Sequence, residues 1–465
     1  MDNIHYGYHR YPGSCPIIPN HGMVLASILC GGDDFQRSLM IAVSSGWDTD
    51  CNAANVGCFN GIRLGLKGIE AGADLRGPVN DRIYVVTADG GSCVSDAVLE
   101  SRKIIKAAQL RNNCTPDIQT KRFAFEFSGS LQGFGKCPLF LHENCKLQLE
   151  NHGNGLEISL GCLAFGCYGR ISTPTFLDPS EVQNRETVAS PTLYEGQEIQ
   201  VAVVSDHDEN PVVRLYICYI DSGDIPHILY GRDLALQKGT SILRWKIPPF
   251  GGMPICRAGL EFKSEKRFDG KIRLAWMDWE GAPESFQQDG ILMKNMWDTR
   301  PFWSKAFVSG AQHFGPNLNH TYSISHNDGN GLATTGTKDF KDYLVASKLT
   351  FSLHKKAGLV IRSNGHRRFY GAVVENGTRF SIIKQKDDNV SYLASAEVKY
   401  QEFQPYDMEL KVIQNHLSAV FNGVTLEAED SDGSYLCGGT GFLIDTGTMF
   451  ADGFKIQGQH EKGEI

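Results

Sequence analysis

The sequence predicts a multidomain α + β chain, a helical segment followed by two antiparallel β-sandwiches. Three observations carry this. Residues 1 to about 118 hold apolar side chains at helical spacing. From Arg122 onward, apolar and polar residues alternate in short runs, the period-two pattern of half-buried strands. Three Asn-Gly pairs, Asn364-Gly365, Asn376-Gly377 and Asn422-Gly423, lie between strand-like runs, where they supply the positive-φ positions of tight hairpins.

Taken in order, the helical candidates are Met23 to Cys30, Phe35 to Ser44, Asn52 to Leu66 and Ser95 to Leu110. Asp33-Asp34 precedes the second and reads as a pair of capping carboxylates. The third carries Ala53, Gly57, Gly61 and Gly65 at every fourth position, a small-residue stripe that would let another helix approach closely. The polar run from Arg111 to Asp117 reads as a linker. The first sandwich is expected over 122–283. Its strand signals are Phe123, Phe125 and Phe127, then Val212 to Cys218, then Lys271 to Trp276 with apolar residues on even numbers. The second is expected over 296–458. Leu349, Phe351 and Leu353 alternate there with polar residues, and Trp297, Phe302 and Trp303 read as core or interdomain packing. Each region is about 160 residues long, a size at which a domain buries roughly 70% of its unfolded surface, so each is expected to have its own core.

Composition excludes several classes. A formal net charge of −8 gives no basic nucleic-acid surface. The longest apolar run, Met23 to Cys30, is too short to span a bilayer, and no signal pattern opens the chain, so a cytoplasmic location is expected. Thirteen cysteines without Cys-x-x-Cys spacing suggest neither a zinc site nor a disulfide framework. In the third region His313, His320, His326, Arg362, His366, Arg367, Arg368 and Tyr370 form either a sugar-binding face or a solvated strand face. No Glu-x-Asp-x-x-Glu pattern of glucanase catalysis occurs, which argues against the sandwiches being the enzyme.

The chemistry concentrates in Gly46-Trp47-Asp48-Thr49-Asp50-Cys51-Asn52. Two aspartates at i and i+2 stand at a helix entrance, where the macrodipole favours negative charge. Either one of them caps a buried helix, or the pair offers hard oxygen ligands suited to Mg²⁺ or Ca²⁺.

This segment resembles the C-terminal metal motif of the ADP-ribosylglycohydrolase family, usually Gly-Gly-Asp-Thr-Asp-Thr before a small-residue helix. The resemblance extends to Ile18-Pro19-Asn20, to Gly31-Gly32-Asp33-Asp34-Phe35, to Asn80-Asp81-Arg82-Ile83-Tyr84 and to Thr87-Ala88-Asp89-Gly90-Gly91. It implies a partial all-α bundle over 1–118 with Asp48 and Asp50 as catalytic Mg²⁺ ligands. It implies a further ligand at Cys51, where the family usually has Thr, and a thiol suits a hard cation poorly. Asn20, His21 and Trp47 are the implied substrate-lining residues. The family's first-half motif, Thr-Asp-Asp, does not occur in this chain, so half of a binuclear centre is expected. The sandwiches resemble a carbohydrate-binding jelly roll and a concanavalin-like or laminin-G-like domain. The implied function is hydrolysis of ribosyl or glycosyl bonds in an ADP-ribosylated protein or a small ADP-ribosyl substrate, with a glycan as a partner of the β domains. The alternative is a non-catalytic protein that binds carbohydrate or protein.

Overall fold

A computed structural model describes residues 8–459 except 12, 14, 117–118, 140–144, 180–186, 292, 294–300 and 434; Trp297 and Asp117 thus lie outside the described residues. The chain forms two compact units, Met1–Val79 and Asn80–Ile465.

The first unit holds helices α1 (Ile17–Gly31), α2 (Phe35–Ser44) and α3 (Thr49–Ile69). The Asp34 carboxylate caps α2 by accepting the Arg37 N–H at 2.8 Å, while Asp33 pairs with Arg63. The core here is small: Val24, Ala42 and Val56, backed by Ile28, Leu39 and Ala53. Larger apolar side chains face out, among them Ile18, Leu25 and Leu29 on α1 and Phe59, Ile62 and Leu66 on α3.

The small-residue stripe does not serve as expected. A Cβ added at Gly57 would stand 3.5 Å from Leu39 Cδ2, and one at Gly61 3.5 Å from Ile69 Cδ1. Both are ordinary van der Waals contacts, so neither glycine is needed for close approach. The close approach falls at Gly31 instead, where a Cβ would stand 2.7 Å from Ser38 Cα. Gly65 has another role. Its φ of 65° and ψ of −174° break the α3 geometry at a kink.

The second unit opens with a ribbon of Arg82–Tyr84 against Val94–Asp96 and then helix α4 (Ala97–Arg111). The Asp96 carboxylate caps α4, accepting the N–H groups of Val98 and Leu99, each at 2.9 Å. The helix forms where the periodicity placed it, but it sits in the unit that holds the strands. Buried Arg102 grips Glu126 through Nε and Nη2, each at 2.7 Å, and its Nη1 reaches the carbonyls of Lys121 and Arg122.

Two antiparallel sheets form the first sandwich. One orders Leu234–Ala235, Val212–Ile220, Ile255–Lys263, Tyr168–Pro174 and Gly135–Lys136. The facing sheet orders Gly239–Lys246, Glu198–Ser205, Phe268–Glu280, Leu156–Leu163 and Lys146–Asn151. Val213, Leu215 and Ile217 point into the core between them. In Phe268–Glu280 the even-numbered Ile272 and Leu274 face that core. A bulge between Leu274 and Trp276 then shifts the parity, so Met277 and Trp279 face it instead. Phe123 and Phe125 are buried, but through an isolated bridge to Met277 and a positive φ of 54° at Phe125 rather than a strand, and Phe127 is exposed.

The second sandwich is built on two long strands, Tyr343–Ser363 and Gly439–Gly458, paired along their length. The other edge of Tyr343–Ser363 pairs first with Pro405–Ile413 and then with Arg368–Glu375, so one strand serves both layers. The change occurs at an irregularity between Phe351 and His354. There the alternation fails: Leu349 and Phe351 are buried, but Leu353 is exposed. Asn422-Gly423 forms the expected two-residue hairpin, with φ of 45° and 78°.

The two cores are not separate. Tyr216, Cys218 and Ile220, on the outer face of the first sandwich, join one continuous apolar cluster with Trp303, Phe307, Tyr322 and Phe442 of the second. From Leu215 to Ile220 the strand is therefore apolar on both faces, which explains the continuous hydrophobic run after Arg214.

Two expectations follow. Residues 80–465 produced alone should melt cooperatively, whereas residues 122–283 alone should aggregate, because the apolar cluster that holds Tyr216, Cys218 and Ile220 would be cut through. Gel filtration with thermal melting decides it, and a soluble 122–283 domain would refute the shared core. Gly57→Ala should stabilise the chain by about 0.5–1 kcal/mol. Gly65→Ala should destabilise it by about 1–2 kcal/mol, since alanine resists positive φ. Denaturant unfolding of both variants reads the opposite signs.

Candidate metal centre

The entrance of α3 is shaped by backbone conformation. Gly46 and Trp47 adopt φ of 75° and 66°, turning the chain so that Asp48 takes the N-cap position of α3. Asp48 makes no side-chain capping hydrogen bond. Its Oδ2 accepts instead from Asn20 Nδ2 on α1 at 3.1 Å. Asn20 Oδ1 in turn faces Asn52 Nδ2 at 3.5 Å. Asn52 is 1% exposed. Asn52 closes the motif segment but was given no role there; an amide four residues after Asp48, one helical turn on, was the available signal.

Asp48, Asp50 and Cys51 each turn one ligand atom to the same point, all within 4.8 Å of one another. The Asp50 carboxyl lies below the usual carboxylate range, first through its hydrogen bond with Asp48 and then through the backbone N–H groups of Cys51 and Asp50 itself. Cys51 shifts the other way. Its side-chain hydrogen bond to Asp48, followed by the charge of that carboxylate, holds the thiol above its ordinary range. Cys51 is thus a hydrogen-bond donor to Asp48. The donor set fits a hard cation through its two carboxylates and does not fit it through the protonated sulfur.

The implied substrate-lining residues are spread around this point. Asn20 is half-buried and bonded to Asp48, Trp47 is half-buried at the turn, and His21 is exposed near the start of α1. Six of the eight polar residues singled out in the third region are engaged by neighbours within it. Arg362, 2% exposed, is spent on the carbonyls of Lys341, Gln414 and Tyr435 and on Asp342. Tyr370 donates to Asp430 at 2.5 Å, and His320 pairs with Asp452 at 2.7 Å. His366 is held between Thr334 and the Val308 carbonyl. Arg367 and Arg368 pair with Asp388 and Asp387.

Among the described residues no helix is long and apolar enough to cross a membrane. No curated protein matches the chain. Similar solved structures include carbohydrate-binding module CBM66 from Bacillus subtilis, 14% identical over 30% of this chain and 86% of that one, with a TM-score of 0.27. A Bacillus subtilis protein of unknown function with a galectin-like fold is 11% identical over 38% of this chain and 100% of its own, with a TM-score of 0.28. The family 11 carbohydrate-binding module of a Clostridium thermocellum cellulosomal cellulase is 13% identical over 35% and 94%, with a TM-score of 0.23. Such scores carry no argument about ligand. At the helical end, residues 2–101, which include the whole Asp48–Cys51 entrance, match the model of the ADP-ribosylglycohydrolase family.

Proposed function

We propose that the helical region is an ADP-ribosylglycohydrolase-like hydrolase of ribosyl or glycosyl bonds, dependent on Mg²⁺ held by Asp48 and Asp50. The observation that carries this reading is the Asp48 side chain. It occupies a capping position yet leaves the cap unmade, turning to Asn20, Asp50 and Cys51. Asn20 fixes the Asp48 carboxylate in that orientation, and buried Asn52 stands behind Asn20. Trp47 offers a ring at the mouth of the site. Bound Mg²⁺ would orient ribosyl hydroxyls and an attacking water. The substrate is an ADP-ribosylated protein or a small ADP-ribosyl compound, and the β region recognises a glycan or the protein that carries the ribosyl group.

Mg²⁺ takes six oxygen ligands in octahedral order. Two carboxylates make a weak site, so this chain by itself should hydrolyse ADP-ribosylated peptide poorly. The non-catalytic reading draws support from the small helical core and the single large body of residues 80–465.

Titration calorimetry with MgCl₂ tests the site. Binding no tighter than roughly 10⁻⁴ M is expected, lost in Asp48→Asn/Asp50→Asn. Absence of binding favours the non-catalytic reading. Robust Mg²⁺-dependent turnover that Asp48→Ala and Asp50→Ala abolish would show that ligands elsewhere complete the centre.

The thiol gives a second test. At pH 8, Cys51 should alkylate more slowly than a free cysteine, because its raised pKa lowers the thiolate fraction. Asp48→Asn should lower that pKa and speed the reaction. Peptide-resolved labelling with iodoacetamide measures both rates, and an unchanged rate would break the Asp48–Cys51 link.

A further inference from the structure

The geometry points to a second binding site, for a phosphorylated or sulfated sugar-sized molecule, in the large unit. A cleft of about 550 Å³ opens where α4, the end of the strand Phe268–Glu280 and the loop Thr337–Asp339 come together. That volume is within the range of small-molecule sites, roughly 300–1,000 Å³.

The charges on its wall are divided between committed and uncommitted groups. Arg102 is taken by Glu126, Lys103 by Glu100, Lys338 by Asp89 and Arg122 by Asp339. Among the described residues, Lys106 has no carboxylate partner and Glu280 has no cationic one, although both line the cleft. Lys106 lies on α4 beside Lys103, and the Lys103 side chain is half-exposed. The Lys338 side chain is likewise half-exposed. Ammonium groups of this kind retain donors for an oxyanion after making one ion pair. The carboxylate of Glu280 accepts hydrogen bonds from hydroxyl groups. The Nε–H of Arg122, also on the wall, has no hydrogen-bond partner. A ligand with an oxyanion at one end and hydroxyls at the other satisfies both uncommitted charges together. Neither inorganic phosphate nor a neutral sugar does.

The proposal does not rest on the metal centre. Titration calorimetry on the full chain in EDTA, which silences any cation at Asp48 and Asp50, compares glucose 6-phosphate, galactose 6-phosphate and mannose 6-phosphate with inorganic phosphate and with free glucose. At least one hexose phosphate is expected to bind ten or more times tighter than either control. Lys106→Glu should weaken it at least tenfold, and Glu280→Gln about threefold. Both positions are exposed and make no ion pair, so folding is preserved and circular dichroism verifies it. Sulfated galactose competing for the same site would confirm an oxyanion pocket open to either ester. The proposal is overturned if no hexose phosphate exceeds inorganic phosphate, or if binding survives Lys106→Glu unchanged.

Discussion

The sheet of the first sandwich that is buried on both faces constrains everything after residue 80. Val213, Leu215 and Ile217 face the core of their own sandwich, while Tyr216, Cys218 and Ile220 of the same strand belong to the apolar cluster that continues into the second. An apolar side chain fully buried is worth about 1.5–3 kcal/mol. Three such residues facing outward from one strand would be costly in an isolated sandwich. They belong to an apolar cluster that continues through Trp303, Phe307 and Tyr322 of the second region. The sandwiches are thus parts of one body, and the polar network between them is tied to it: Tyr194 bonds both Thr335 Oγ1 and the Gly336 N–H.

The same body captures the tail of the family-matched segment. Asp81 accepts from Ser130 Oγ and the Leu131 N–H, Asp96 faces Gln132, and Arg102 grips Glu126. Burial pushes the Asp96 carboxyl up to about 6 despite its capping bonds, the mark of a group held inside for architecture rather than exposed at a surface. The match to the ADP-ribosylglycohydrolase model ends at residue 101, within α4. Thus one stretch of sequence similarity is divided between two physical units. What remains in α1, α2 and α3 is a set of helices with a three-residue buried cluster and a row of exposed large side chains, Phe59, Ile62 and Leu66.

Much of this was legible in the sequence, and the failures have physical causes. The four α-helices in the described residues form over the segments that apolar spacing marked, with the first and third starting earlier, and Asp34 caps the second as expected, because both signals are local. The Asn422-Gly423 hairpin is equally local. Alternation failed at Leu353 and Trp276, where bulges reverse which side of the strand faces inward, and a bulge leaves no clear trace in hydrophobic pattern. The Phe123-Phe125-Phe127 run failed because burial came from aromatic packing against Phe134 and Trp279 rather than from strand pairing. The boundary near residue 79 was invisible because α4 has the same helical texture as α1 to α3. Only long-range partners such as Glu126 separate it from them.

At the candidate centre, the sequence showed the two aspartates but not how they are held. A helix N-terminus ordinarily claims the side chain of its N-cap residue, a contact worth about 1 kcal/mol. Here Asp48 forgoes it, and two features compensate. The Gly46–Trp47 turn sets the backbone in positive φ, and Asn20 supplies a hydrogen bond from a separate helix. The result aims one carboxylate at its neighbour two residues on, an arrangement in which two like charges repel unless a proton or a cation lies between them. In the protein alone, Asp48 accepts from the Asn20 amide, and the Cys51 thiol is held protonated beside it. A hard cation between the carboxylates would displace the thiol. Threonine at position 51 would offer such a cation an oxygen where the cysteine offers a protonated thiol.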